Sequence, residues 1–195
     1  MNYYELHVTV NIEGKELIQQ FIKDCNSINV KPIVIETEKD GEYHNQVMTS
    51  FKVKADEYKT SLNKLVIQLI DFGYHVVREK VEMEPGDEKH PDHIYYESHL
   101  RLRLPNGFDL TNHKVFFNSC NFHLSKNVFK RTDTHFYQML TYRTNVLNLS
   151  SFKIIVEAMK QSLASIDIEC DKTEIEECIY DTNETIDASW LNGNM

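Results

Sequence analysis

The chain has 195 residues, 41% hydrophobic and 26% charged, the composition of a globular protein able to bury a core of its own. No apolar run approaches the ~18 residues of a membrane span, and the opening MNYYELHV lacks the basic-then-apolar order of a secretory leader, so a cytoplasmic location without membrane contact is expected. The net charge of −9 is uneven: residues 1–94 carry −6, 95–166 carry +5 and 167–195 carry −8, which speaks against a broad double-stranded nucleic-acid surface and for a local anion site in the basic middle.

Alternating β-branched and aromatic residues mark strands, and apolar residues three or four apart mark helices. On that basis the first half reads as a strand over 3–12, a helix over 15–26, strands over 30–37 and 44–54, a helix over 56–72 and a strand over 75–84. In that second helix Leu62, Leu65, Val66, Leu69 and Ile70 form an apolar stripe, and Gly73 is placed to end it. The segment Pro85-Gly86-Asp87-Glu88-Lys89-His90-Pro91 suits an exposed connector. The second half follows with strands over 94–104, 122–130 and 135–143, helices near 110–119 and 150–164, and a strand from 167. Beyond 183 periodicity is lost, apart from Trp190-Leu191, which are placed to dock on the body.

The sequence also repeats itself at an offset of 92 residues. Tyr3-Tyr4-Glu5-Leu6-His7 returns as Tyr95-Tyr96-Glu97-Ser98-His99, Asn26-Ser27-Ile28-Asn29 as Asn118-Ser119-Cys120-Asn121, and Gln46-Val47-Met48-Thr49 as Gln138-Met139-Leu140-Thr141. The expected fold is therefore α+β: tandem duplicated β-α-β-β-α-β (ferredoxin-like) units, with antiparallel sheets related by a pseudo-twofold. The expected boundaries are 1–84 for the first repeat, 85–93 for the linker, 94–183 for the second repeat and 184–195 for a C-terminal tail.

Alternation sorts each first strand into two faces. Tyr4, Leu6, Val8, Val10 and Ile12, with Tyr96, Ser98, Leu100, Leu102 and Leu104, should lie under the helices. That leaves Tyr3, Glu5, His7, Thr9 and Asn11, with Tyr95, Glu97, His99, Arg101 and Arg103, on an open face. His123, Ser125 and Asn127 share one side of the next strand, near Lys126, Lys130 and Arg131, while Gln46, Gln138 and Arg143 lie on the third strands. If the two open faces meet, they line a cleft. There His7, His99 and His123 are the acid–base candidates, since imidazole titrates near neutral pH. Glu5, Thr9, Gln46, Glu97, Arg101, Arg103, Ser125, Gln138 and Arg143 are the substrate-binding candidates, the arginines offering a rigid fork for phosphate.

Two families share parts of this pattern. His7-Val8-Thr9-Val10 resembles the His-x-Thr/Ser-x motif of the two-histidine (2H) phosphoesterases, bilobal duplicated α+β proteins that cleave cyclic or linear phosphodiesters without metal. The resemblance implies one histidine as base, its partner as acid, and hydroxyls that hold the phosphate; His123-Leu124-Ser125 offers a second such motif. His99, the repeat equivalent of His7, is followed instead by Leu100-Arg101. Glu97-x-His99-x-Arg101-x-Arg103 resembles the charged alternation lining triphosphate tunnel metalloenzymes, which implies metal-binding oxygens from Glu169, Glu174, Glu176 and Glu177. The Val47-Met48-Thr49-Ser50 strand, the stretch from Glu177 to Asn183 and Asp187-Ala188-Ser189-Trp190-Leu191 are similar to features of an uncharacterised family of hypothetical microbial proteins, which implies no activity.

Other chemistries lack their signatures. Cys25, Cys120, Cys170 and Cys178 form no CxxC pair and read as reduced thiols. His90-Pro91-Asp92-His93 has no third ligand nearby, and neither a glycine-rich phosphate loop nor a serine elbow occurs, so no cofactor or resident metal is expected. The leading expectation is a phosphate-recognising protein, in its sharpest form a metal-independent phosphodiesterase on a nucleotide, RNA end or phosphorylated small molecule. The alternatives are a non-catalytic binding or assembly module, including a homo-oligomer, and a tunnel-type metal-dependent phosphohydrolase.

Overall fold

The computed structural model describes residues 2–39, 42–127 and 132–187. Along the chain run β1 (Tyr3–Val10), α1 (Lys15–Ser27), β2 (Lys31–Lys39), β3 (Glu42–Lys54), α2 (Tyr58–Asp71) and β4 (Val76–Met83). They are followed by β5 (Tyr95–Pro105), α3 (Thr111–Ser119), β6 (Phe122–Asn127), β7 (His135–Thr144), α4 (Leu149–Ser165) and β8 (Glu169–Asp181), then a 3-10 turn at Glu184–Asp187. Trp190-Leu191, Lys130 and Arg131 lie outside the described residues. No helix among the described residues is long and apolar enough to cross a membrane.

The fold is mixed α+β, and the eight strands among the described residues close an antiparallel barrel in the order β1-β3-β2-β6-β7-β5-β8-β4. Instead of two sheets facing each other across a cleft, the edge strands of the two halves pair at two seams, β2 with β6 and β4 with β8. Closure satisfies the backbone N–H and C=O groups that four free edges would expose. The 13 residues of β8 make one seam possible, because its first part pairs with β5 and its last part with β4.

Alternation places the cores. Tyr4, Leu6, Val8 and Val10 of β1 pack against Phe21 and Cys25 of α1 and Leu62, Leu65 and Leu69 of α2. Tyr96, Leu100, Leu102 and Leu104 of β5 do the same with Phe117 of α3 and Phe152, Val156, Met159 and Leu163 of α4. Among the described residues there are thus two apolar cores on the outside of the barrel, and the interior is lined by the opposite strand faces, which are largely polar on β1, β4, β5 and β8. The helix end at Gly73 is as expected: the residue adopts φ +89°, its N–H donates to the Ile70 carbonyl at 2.8 Å, and the next N–H reaches Leu69 at 3.0 Å. A Cβ there would meet nothing within 4 Å, so Gly73→Ala is expected to cost about 1–2 kcal/mol through backbone strain alone. A urea midpoint unchanged from wild type would refute this.

Two local expectations need correction. First, the third strands are not equivalent in register. Val10 pairs with Val47, whereas Leu102, its counterpart at the 92-residue offset, pairs with Gln138 and not with Met139. A one-residue slip exchanges faces, so Gln46 points into the barrel while Gln138 shares the helix-covered face of Leu102 and Leu140. Second, the connector is strapped down. The His93 side chain is 3% exposed, with Nδ1 2.8 Å from Glu177 Oε1, and the His90 N–H donates to the same oxygen at 2.9 Å. Burial depresses the His93 pKa, although the Glu177 hydrogen bond opposes this.

Candidate functional site

Inward-facing residues divide the barrel interior into a closed floor and an open mouth. On the floor, Glu97 of β5 is 1% exposed and lies between Lys80 of β4 and Arg143 of β7, at 2.6 and 2.8 Å. Lys80 Nζ is also 2.6 Å from Glu82 Oε1. Arg78 grips Asp181 through Nε at 2.9 Å and Nη2 at 2.5 Å, and the Tyr95 hydroxyl donates to the same carboxylate at 2.7 Å. The Arg143 guanidinium lies 4.4 Å over the Tyr95 ring, a cation–π contact in a dry setting. Burial alone would raise the Glu97 pKa, but Arg143 and then Lys80 override it and hold the carboxyl well below its usual range. Burial likewise opposes the Lys80 charge, and Glu82 and Glu97 more than compensate. The Tyr95 phenol is pushed far up, chiefly by burial.

This floor corrects the picture of an open sheet face. Glu97 and Arg143, expected to bind substrate, are occupied with each other and shielded from solvent. Thr9 is also buried, in register with Arg78. The cations and acids that complete the network, Arg78, Lys80, Glu82 and Asp181, were not singled out from the sequence. The alternation Arg78-x-Lys80-x-Glu82 is the same period-two signal that marked Glu5-x-His7 and could have revealed three of them.

The mouth holds His7 and His99, which match at the 92-residue offset. His7 Nδ1 is 2.9 Å from the Thr49 carbonyl, which only accepts, so this nitrogen carries a hydrogen and Nε2 faces Glu82 at 3.1 Å and Glu5 at 3.8 Å. The Val8 N–H donates to the Thr49 hydroxyl, so that threonine is spent on the β1 backbone. His99 Nδ1 instead meets the Thr141 hydroxyl at 2.9 Å, which can donate or accept, and Nε2 faces Glu176 at 3.5 Å and Glu97 at 4.0 Å. His7 and His99 are thereby linked through Glu82, Lys80 and Glu97. Glu5 accepts from the Ser50 hydroxyl at 2.5 Å and pairs with Lys52 at 3.2 Å. Burial would raise its pKa, yet His7, Ser50 and Lys52 together bring it below the usual value.

His123 of β6 also faces inward, in register with Thr141, and Ser125 is buried beside it on the same strand face. The expected phosphate forks are occupied. A bulge in β8 sets Asp171 against Arg101 at 2.7 and 2.9 Å, with the guanidinium 5.2 Å over the Tyr137 ring, and Arg103 pairs with Glu169 at 3.2 Å. The four acids considered as metal-binding oxygens are dispersed: Glu169 on Arg103, Glu174 on Lys172, Glu176 on His99 and Glu177 on His93. Among the described residues no group of three or more His, Cys, Asp or Glu is arranged to hold a metal ion.

No protein-family model matches the chain, and no curated protein sequence matches it. Among solved structures, it is similar to the regulatory subunit of aspartate kinase from Thermus thermophilus at 10% identity and TM-score 0.30, over 71% of this chain and 82% of that one. It is also similar to an anthrone oxidase-like protein at 8% identity and TM-score 0.31, over 92% of each chain. A protein from Galdieria sulphuraria aligns at 10% identity and TM-score 0.27, over 90% of this chain and 98% of that one.

Proposed function

We propose that the protein is an acid–base enzyme in which His7 and His99 exchange protons with a small substrate held in the barrel mouth. One observation carries this reading: both imidazoles turn Nε2 toward carboxylates of a shared interior, linked by the contacts His7–Glu82, Glu82–Lys80, Lys80–Glu97 and Glu97–His99. Such placement fixes the histidines in orientation and supplies counter-charge to whichever is protonated. The substrate class that fits is neutral or cationic. A phosphodiester is less favoured, because Arg101 and Arg103 already bind carboxylates and the histidines face acids that repel a phosphate.

The test is turnover across a panel of small neutral, amine-bearing and phosphodiester substrates, with His7→Ala, His99→Ala and the double variant. Each single variant is expected to lose about 10²–10⁴-fold in turnover, the usual worth of a positioned acid or base. Full activity in the double variant would sink the reading. A binding-module alternative is favoured by the floor, whose ions satisfy one another as a structural network does. It predicts saturable ligand binding with no turnover of any panel member.

We further propose that the two halves descend from one duplicated ferredoxin-like unit, related by a pseudo-twofold. The 92-residue matches and the twice-repeated element order support this, with the β7 register slip as later divergence.

A further inference from the structure

One carboxyl group at the mouth has a setting unlike its neighbours'. Glu176 of β8 pairs in register with Glu97, its side chain is 18% exposed, and Oε2 lies 3.5 Å from His99 Nε2. Glu97 and Glu82 each hold Lys80, and Glu5 holds Ser50 and Lys52, but the close partner of Glu176 is an imidazole. The groups that face it are Glu97 and His99 from β5, Glu82 and Lys80 from β4, Glu5 from β1 with His7 against it, Lys52 from β3, and Glu174 on its own strand. Lys80 is thus already held by Glu82 and Glu97, and Glu176 brings a further carboxyl into the same cluster, where like charges so placed oppose its ionisation.

We infer that Glu176 is the proton-carrying group of this site, exchanging a proton with His99 at the barrel mouth. The inference rests on the acid–base reading above and names its proton store. In the exchange the Oε2–H bond of Glu176 breaks and its electron pair stays on the carboxylate. The Nε2 lone pair of His99 takes the proton, which passes to the substrate, and Glu176 is reprotonated from solvent at the mouth. The electrostatics agree in direction: burial first, then Glu82, Glu5 and Glu97, push the Glu176 carboxyl well above the usual range against the pull of Lys80. Glu97 next to it is held low. Neighbouring carboxyls driven apart in this way mark one proton donor and one permanent anion.

The test uses the full chain and Glu176→Gln, with infrared difference spectra and thermal unfolding followed against pH. A native carboxyl that binds its proton more tightly than the unfolded chain does makes stability fall as pH rises, from the unfolded value of ~4.3 up through the native one. Wild type is therefore expected to show a protonated-carboxyl band at neutral pH that Glu176→Gln lacks, and the variant's Tm should gain on wild type as pH rises. A merely structural carboxylate gives the opposite sign. No such band in wild type, or a variant that falls behind with rising pH, overturns the proposal. Should Glu176→Gln fail to fold, a band in wild type that shifts in Glu176→Asp supports the proposal, and a missing or unmoved band overturns it. On any substrate that wild type turns over, Glu176→Gln is expected to lose about 10²-fold with a displaced pH profile, and an unmoved profile counts against it. If the band is present but the His7→Ala, His99→Ala double variant keeps full activity, the acid–base reading fails separately from the protonation of Glu176.

Discussion

Replacing Glu97 with alanine is expected to lower the unfolding free energy by about 3–5 kcal/mol, measured as a shift in the denaturant midpoint. The magnitude follows from what is left behind. Lys80 and Arg143 are 8% and 3% exposed and both direct a cationic nitrogen at this one carboxylate. With it gone, Lys80 keeps Glu82, whereas Arg143 loses the carboxylate that its Nη2 meets at 2.8 Å in the barrel floor. The pH dependence has a definite sign. Because the native Glu97 pKa lies below the unfolded one, its contribution is complete above ~4.3 and is lost as pH falls through the native value. Wild type should therefore lose stability relative to Glu97→Ala in acid, and the gap between them should narrow there. A cost under about 1 kcal/mol at neutral pH would mean that water reaches the floor and screens the pair.

That floor is also where the sequence was least explicit. Which residues of β1 and β5 face the helices could be read directly, because Leu6, Val8, Leu100 and Leu102 alternate with Glu5, His7, His99 and Arg101 at the period of a strand. Local periodicity carries no information about what a polar face will meet. Here it meets the opposite wall of a barrel, since the β2–β6 and β4–β8 seams pair residues about 90–100 positions apart. The polar alternation was therefore read as an open face lining a cleft, when part of it is a buried ion network. The arginines illustrate the same limit. Arg101 was legible as an inward cation, but its partner Asp171 reaches it only because β8 carries an extra residue at that point, and a bulge leaves no clear mark in the alternation. The Gln138 misplacement has the same cause: matched sequence positions do not guarantee matched register.

Asp181→Ala is expected to cost a comparable ~3–5 kcal/mol, by a route that tests barrel closure as well as charge pairing. A second irregularity in β8 lies between its pairings with Val81 and Glu82, and beyond it Asp181 comes opposite Lys80 with its side chain fully buried. There it accepts two hydrogen bonds from Arg78, one from Tyr95 and one from the Asn183 N–H at 3.0 Å. Burial would raise its pKa, but the Arg78 hydrogen bonds and charge, with Tyr95 and Asn183, bring it below the usual value. Its support is therefore present above the unfolded value of ~3.9 and disappears as pH falls through the native one. Removing it takes two charge-assisted hydrogen bonds from the Arg78 guanidinium and frees the end of β8 from β4, so amide exchange should quicken at Val81 and Glu82 before the rest of the barrel opens. Tyr95→Phe removes one hydrogen bond to the same carboxylate and should cost less, about 1.5–3 kcal/mol. The double variant should cost less than the sum, because both changes act on one buried group. Strict additivity, or uniform exchange across all eight strands, would show that the β4–β8 seam does not depend on this ion pair.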